Sequence, residues 1–306
     1  MGKNVSWFWY FAWFITGVAV VGNALVIVLI TTKHHLQQKP NWFILSLATA
    51  DLFVGFTYIP FFYACWKWFL CSKDVWFVRQ TITWTFLYAS VSNLFILTLD
   101  RYIALTSPLR HKWLVTPTRI AFSVITAWIV PVMSRVCIFA PVHFSNEATA
   151  SKYLVPVFLV MFELVPCILL CCFTFQMVHI VRKRRRPSRP IEDSSTEQRS
   201  LSLRVHFRDH GRPNYNIRFV VSVVGLFILC YSVDVYICFC DIFNLSSISQ
   251  QLWHVRHLLL VTNSALNPIA YALFKRDIRQ EILALGCFNS NNRVTRPSTE
   301  NRELRS

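Results

Sequence analysis

Charge is scarce in this sequence. Asp, Glu, Lys and Arg make up 15% of its 306 residues, against roughly 25% in an ordinary soluble domain. Glycine is scarce too, at 7 residues, which leaves few breaks for the turns of a soluble apolar core. Whole stretches carry no charge. Residues 4–32, 80–99, 120–134 and 257–274 contain no Asp, Glu, Lys or Arg. Residues 40–66, 153–181 and 219–240 contain one each: Asp51, Glu163 and Asp234. These seven runs are near or above the ~20 residues that a helix needs to cross ~30 Å of hydrocarbon. Strands of a membrane barrel would be about half as long and would alternate in polarity. Lipid offers no partner to an open backbone, so helices remain. The expected fold is an all-α membrane protein, a seven-transmembrane helix bundle. No internal repeat is visible, which argues against a transporter built from inverted halves.

What charge there is falls on one side. The formal net charge is +16, which in a soluble protein would point to nucleic acid. Here 24 Lys and Arg fall in residues 31–40, 101–119, 182–218 and from 275 onward, and 7 fall on the other side or at outer helix ends: Lys3, Lys67, Lys73, Arg79, Arg135, Lys152 and Arg256. The positive-inside rule then places the N-terminus outside the plasma membrane and the C-terminus in the cytoplasm. The basic loops face anionic membrane lipid, and no nucleic-acid partner is expected. The first apolar run is too long, and too poor in flanking charge, for a signal peptide. It reads as the first span, behind an extracellular N-terminus of residues 1–6. The seven-helix bundle covers residues 7–273. Its long cytoplasmic connection, 183–216, is polar and broken by proline, as in a disordered segment. Residues 274–286 alternate basic and apolar residues at helical spacing and predict an amphipathic helix on the inner membrane surface. The tail, 287–306, reads as disordered, and Cys287 stands where a palmitate would attach.

Polar side chains inside membrane spans are costly, so each one suggests a function. Span 1 has Gly22-Asn23, span 2 has Asp51, and span 3 has Ser90 and ends Asp100-Arg101-Tyr102. Span 4 has Trp128, span 5 has Pro166, and span 7 has Asn263-Ser264 followed by Asn267-Pro268-Ile-Ala-Tyr271. Together, and in this order, these residues resemble the rhodopsin-like (class A) G-protein-coupled receptors from Gly22 to about Leu285. The stretch DRYIALTSPLRHKWLVTPTR is most similar to the biogenic-amine and adenosine groups. The resemblance implies roles. Asp51, Ser90, Asn263, Ser264 and Asn267 match a pocket for an allosteric sodium ion; carboxylate, hydroxyl and amide oxygens suit a hard cation. A water-bridged polar core is the alternative. No other cofactor is implied. Asp100, Arg101, Tyr102, Asn267, Pro268, Tyr271 and the span-6 aromatic Tyr231 match the activation machinery. Pro108 and Leu109 match the contact with a heterotrimeric G protein. Arrestin and receptor kinases are further partners of such receptors, and no catalytic activity is implied.

The departures from the family are equally specific. The outer cysteine of span 3 is replaced by Trp76, and no Cys lies in residues 141–151. Cys65, Cys71, Cys238 and Cys240 remain as candidates for another bridge, and sequence leaves their pairing open. The span-3 Asp of amine receptors is Thr83. The retinal lysine of opsins is Val261. The span-5 tyrosine is Thr174, and the acid that locks Arg101 is Pro213. Span 6 reads Cys230-Tyr231-Ser232-Val233, so the proline that would kink this helix is missing. Raised basal signalling is expected from the missing lock.

Counted from basic residues at inner helix ends, Asp234, Arg135, Glu163, Thr83 and His257 all stand roughly 24–28 Å above the inner face. At that level the family holds its small ligands. Two readings stand side by side. In one, Asp234 and Glu163 hold a cationic ligand with help from Thr83, His257 and Arg135. In the other, Arg135 neutralises Glu163, and Asp234 is protonated or hydrated. Ser188 lies in a basic context suited to phosphorylation. Asn4 and Asn244 open glycosylation sequons so near the membrane that occupancy is not expected. The function expected is coupling a small, amine-like or adenosine-like extracellular ligand to a G protein. The alternative is a receptor-like protein with impaired or constitutive switching, acting as a heterodimer partner.

Overall fold

A computed structural model of the chain describes residues 6–68, 71–136, 157, 160–185, 213–243, 245 and 248–284. Among them, every regular element is a helix. The spans are α1 (Ser6–Thr32), α2 (Lys39–Trp68), α3 (Lys73–Thr106), α5 (Pro117–Ser134), α6 (Val165–Arg185), α7 (Pro213–Phe243) and α8 (Gln250–Phe274), and a short α4 (Pro108–Leu114) lies between the third and fourth. Six of the seven are long and apolar enough to cross a membrane by composition. The exception, α8, has 25 residues, enough for about 37 Å of rise; its Arg256, Asn263 and Asn267 lower its hydropathy. A further helix, α9 (276–284), follows after Lys275.

The sequence marks the helix starts. Ser72, Thr116 and Ser249 are N-caps whose hydroxyls accept from the backbone N–H three residues on, at 3.3, 3.4 and 3.3 Å. Pro108 and Pro117 sit in first turns, where a missing N–H costs nothing. One proline reshapes its helix. Pro166 cannot donate, and its ring crowds the carbonyl of residue 162. The chain just before it, Val160–Leu164, widens into a π-helical turn that carries Glu163.

α3 runs through the middle of the bundle, against α2, α5, α6 and α7. α1 packs on α2 and α8, and α8 also packs on α7. Gly22 lets α1 approach α8: a Cβ there would lie 2.9 Å from the ring of Pro268. The outward faces are apolar and exposed (Phe14, Phe122, Phe175 and Leu229 among them), as lipid-facing surfaces must be. At the inner end α9 buries Ile278. It is tied to the α1–α2 connection by Glu281, which pairs with Lys33 at 3.2 Å and His35 at 3.3 Å.

Cys65 and Cys71 form a disulfide between the outer ends of α2 and α3, which settles the pairing that sequence left open. Cys238 and Cys240 keep their thiols. The expected disordered connection is helical at both margins, through Arg185 and from Pro213. Ser188, Cys287, Asn4, Asn244 and residues 141–151 lie outside the described residues.

Candidate functional site

Three polar sites follow one another from the inner end to the outer. At the inner end, Asp100 accepts from Arg101 Nε at 3.5 Å and contacts His111 Nε2 at 2.9 Å. The second contact comes from His111 on α4, so the carboxylate is shared. The Tyr102 hydroxyl donates to Gln176 at 2.6 Å. Pro108 opens α4, and Leu109 beside it is 78% exposed. Lys275 closes α8 and is buried, with Nζ donating to Asn41 Oδ1. Burial pushes its ammonium down to about 7, and the charge of Arg101 adds to the effect.

The middle site is built on Asp51, which is fully buried. One carboxylate oxygen accepts from Ser90 Oγ at 2.7 Å and Ser264 Oγ at 2.8 Å, and the other accepts from Asn267 Nδ2 at 2.6 Å. Asn263 is buried nearby in sequence, and its Oδ1 has no hydrogen-bond partner. Asn23 joins α1 to α8 by donating to the Ser264 carbonyl at 3.0 Å. A second relay escaped sequence reasoning: Trp128 donates to Ser46 at 3.0 Å, and Ser46 donates to Asn93 at 2.7 Å. It ties α5, α2 and α3 together. Tyr231 and Tyr271 are fully buried, and both hydroxyls lack partners. The Tyr231 ring lies 4.4 Å from that of Phe227.

The outer site is a cavity of about 500 Å3, within the usual range for small-molecule pockets. Thr83, Arg135, Glu163 and His257 all line it, with Arg79, Trp84, Tyr88, Cys238 and Arg256. Asp234 does not line it but is fully buried behind the lining, with one oxygen taken by Arg256 Nε. The Arg256 guanidinium lies over the rings of Trp84, at 5.4 Å, and Trp253, at 4.9 Å. Oxygens of Glu163 and Asp234 and the Cys238 sulfur lie within 4.8 Å of one another. Glu163 also accepts from the Tyr88 hydroxyl at 3.5 Å, and its second oxygen is buried. Arg135 donates to the Gln80 carbonyl at 3.5 Å. The His257 ring meets the Tyr58 hydroxyl at 2.7 Å. Thr83 is buried, with its hydroxyl unpartnered.

In sequence, Arg256 counts among the seven basic residues of the outer side and outer helix ends. It is instead 8% exposed and pairs with Asp234. The signal was available in the chain. Asp234 stands nine residues before the end of α7 and Arg256 six after the start of α8, so antiparallel helices bring them to similar depth.

Comparison with known proteins agrees with this layout. The family model "7 transmembrane receptor (rhodopsin family)" matches residues 22–271. The histamine H2 receptor of Cavia porcellus is 31% identical over 88% of this chain and 76% of its own length. The human histamine H2 receptor is 29% identical over 90% and 78%. The adenosine receptor A2a of Canis lupus familiaris is 26% identical over 86% and 68%. The chain therefore belongs to the rhodopsin family of seven-transmembrane, G-protein-coupled receptors.

Proposed function

We propose that this receptor sits in the plasma membrane with its N-terminus outside and its C-terminus inside. There it binds a small amine-like or adenosine-like ligand in the outer cavity and activates a G protein at Arg101, Pro108 and Leu109. The observation that carries this reading is the stacking of three sites along one bundle. An outer cavity stands over the Asp51 network, which stands over an inner face with Leu109 exposed. The 24-to-7 split of basic residues supports the orientation. The names of the relatives support the ligand class. A ligand ammonium would meet Glu163, because Asp234 already has Arg256.

Asp51, Ser90, Ser264 and Asn267 would hold sodium, with Asn263 contributing its unpartnered amide oxygen. The donor set fits, being all hard oxygen; the cation would stabilise the resting arrangement of α2, α3 and α8. Arrestin and receptor kinases would use the same inner face, with Ser188 and Cys287 as modification sites. The protein itself would catalyse no reaction; it would speed nucleotide exchange on its partner by shifting between conformations.

A second reading has its own support. α7 is one continuous helix of 31 residues, with Val233 where a kinking proline would stand. A protein built this way would switch weakly or signal constitutively, and would act through a partner receptor. A cell assay of G-protein activation across amines and nucleosides, with Arg101→Ala alongside, separates the two. Ligand-driven signal that Arg101→Ala abolishes supports the first reading. Signal that survives Arg101→Ala contradicts it.

A further inference from the structure

The outer cavity has more cations than carboxyl groups. Arg79, Arg135 and Arg256 line it, against Glu163 in its wall and Asp234 behind Arg256. Three guanidinium groups against two carboxyls leave a surplus of at least one positive charge. The pairing shows where the surplus lies. Arg256 holds Asp234. Arg135 lies within electrostatic reach of Glu163 and over the ring of Tyr88. Arg79 forms no ion pair among the described residues. Its guanidinium lies 5.5 Å from the Phe62 ring, and its Nε is buried without a hydrogen-bond partner.

One helical turn along from Arg79 is Thr83, on the same face of α3. Thr83 is 3% exposed, and its hydroxyl also lacks a partner. Both residues line the cavity. A planar guanidinium fork with a hydroxyl donor beside it is a receptor for a compact oxyanion. A half-buried cation without a counterion still carries a desolvation cost, so a ligand that brought one would gain from both terms.

Resting on the reading of this cavity as the ligand site, we infer that the ligand carries a carboxylate or similar compact acidic group, received by Arg79 and Thr83. A plain monoamine would leave Arg79 unmatched and would add positive charge to a cavity already in excess. An amino-acid-like ligand satisfies both ends: its acid meets Arg79 and its ammonium, where present, meets Glu163.

The test uses purified full-length receptor in lipid nanodiscs and measures binding by calorimetry, without a G protein. The probes are matched sets: histidine, histamine and imidazole-4-acetate; tyrosine, tyramine and 4-hydroxyphenylacetate; tryptophan, tryptamine and indole-3-acetate. In at least one set the carboxylate-bearing members bind about tenfold or more tightly than the amine. Arg79→Gln weakens them by about tenfold or more while the amine changes little, and Arg79→Lys restores part of the loss. Thr83→Val gives a second variant if Arg79→Gln does not fold, with a smaller loss in the same direction. Amines that bind as tightly as the acids, an equal effect of Arg79→Gln on both, or no binding by any carboxylate probe overturns the inference. Acid binding without G-protein activation would contradict the receptor reading alone. Activation by amines through wild-type Arg101 would contradict this inference alone.

Discussion

Gly22 is the residue on which the α1–α8 contact turns. A methyl group there would meet the Pro268 ring at 2.9 Å on both ring carbons. Proline cannot swing aside as a flexible side chain would, so the helices must part. Gly17, on the same helix, has open space within 4 Å of its Cβ position. Gly22→Ala should therefore destabilise the receptor by roughly 1–3 kcal/mol through overpacking. Gly17→Ala should be neutral or slightly stabilising, since alanine is the better helix former. Thermal unfolding of the two variants in matched nanodiscs checks the contrast.

Residue by residue, legibility in the sequence followed cost. Asp51 stood out because no other charge lies in residues 40–66, and its three hydrogen bonds come from residues that the family resemblance had grouped with it. Arg79 and Arg256 did not stand out. Each lies near the end of an apolar run, where an arginine is usual and unremarked. Only the third dimension shows that Arg256 turns inward to Asp234 on the next helix. The same holds for His111, whose link to Asp100 depends on where α4 folds back.

At the scale of the element, α6 and α7 differ in how they handle proline. Pro166 opens a π-helical turn in front of α6. That turn was not readable, because periodicity cannot tell one extra residue in a turn from an ordinary helix. α7 lacks the proline and stays continuous over 31 residues. The site is already prepared for one. Ser232 Oγ donates to the Leu229 carbonyl at 2.8 Å, and that carbonyl is the one a proline at position 233 would leave without its backbone partner. Val233→Pro should therefore fold, bend α7 and widen its inner swing. Maximal agonist-driven G-protein activation should rise severalfold, a gain of about 1 kcal/mol toward the active state. Dose–response curves at equal surface expression measure it. An unchanged maximum would place the hinge elsewhere.

For the whole molecule, charge sorts into layers. Basic residues crowd one end, a single carboxylate with its donors sits in the middle, and arginines face carboxyls in the outer cavity. The number of spans, their order and the middle layer were legible from apolar runs and the rare polar residues within them. The outer layer was legible in depth but not in pairing, because depth follows from counting along one helix and pairing depends on how helices turn toward each other.

Under the proposed function, this bundle would activate a G protein through Arg101, with little to hold it inactive. Pro213 occupies the position of the acid that would restrain Arg101, and Asp100 divides its contacts between Arg101 and His111. The most direct measurement is nucleotide exchange on a purified G protein by ligand-free receptor in nanodiscs. Wild-type receptor should exceed empty nanodiscs. Arg101→Ala should return exchange to that background, and Pro213→Glu should lower it severalfold. Exchange no faster than empty nanodiscs, or basal exchange that Arg101→Ala leaves intact, would contradict activation through Arg101.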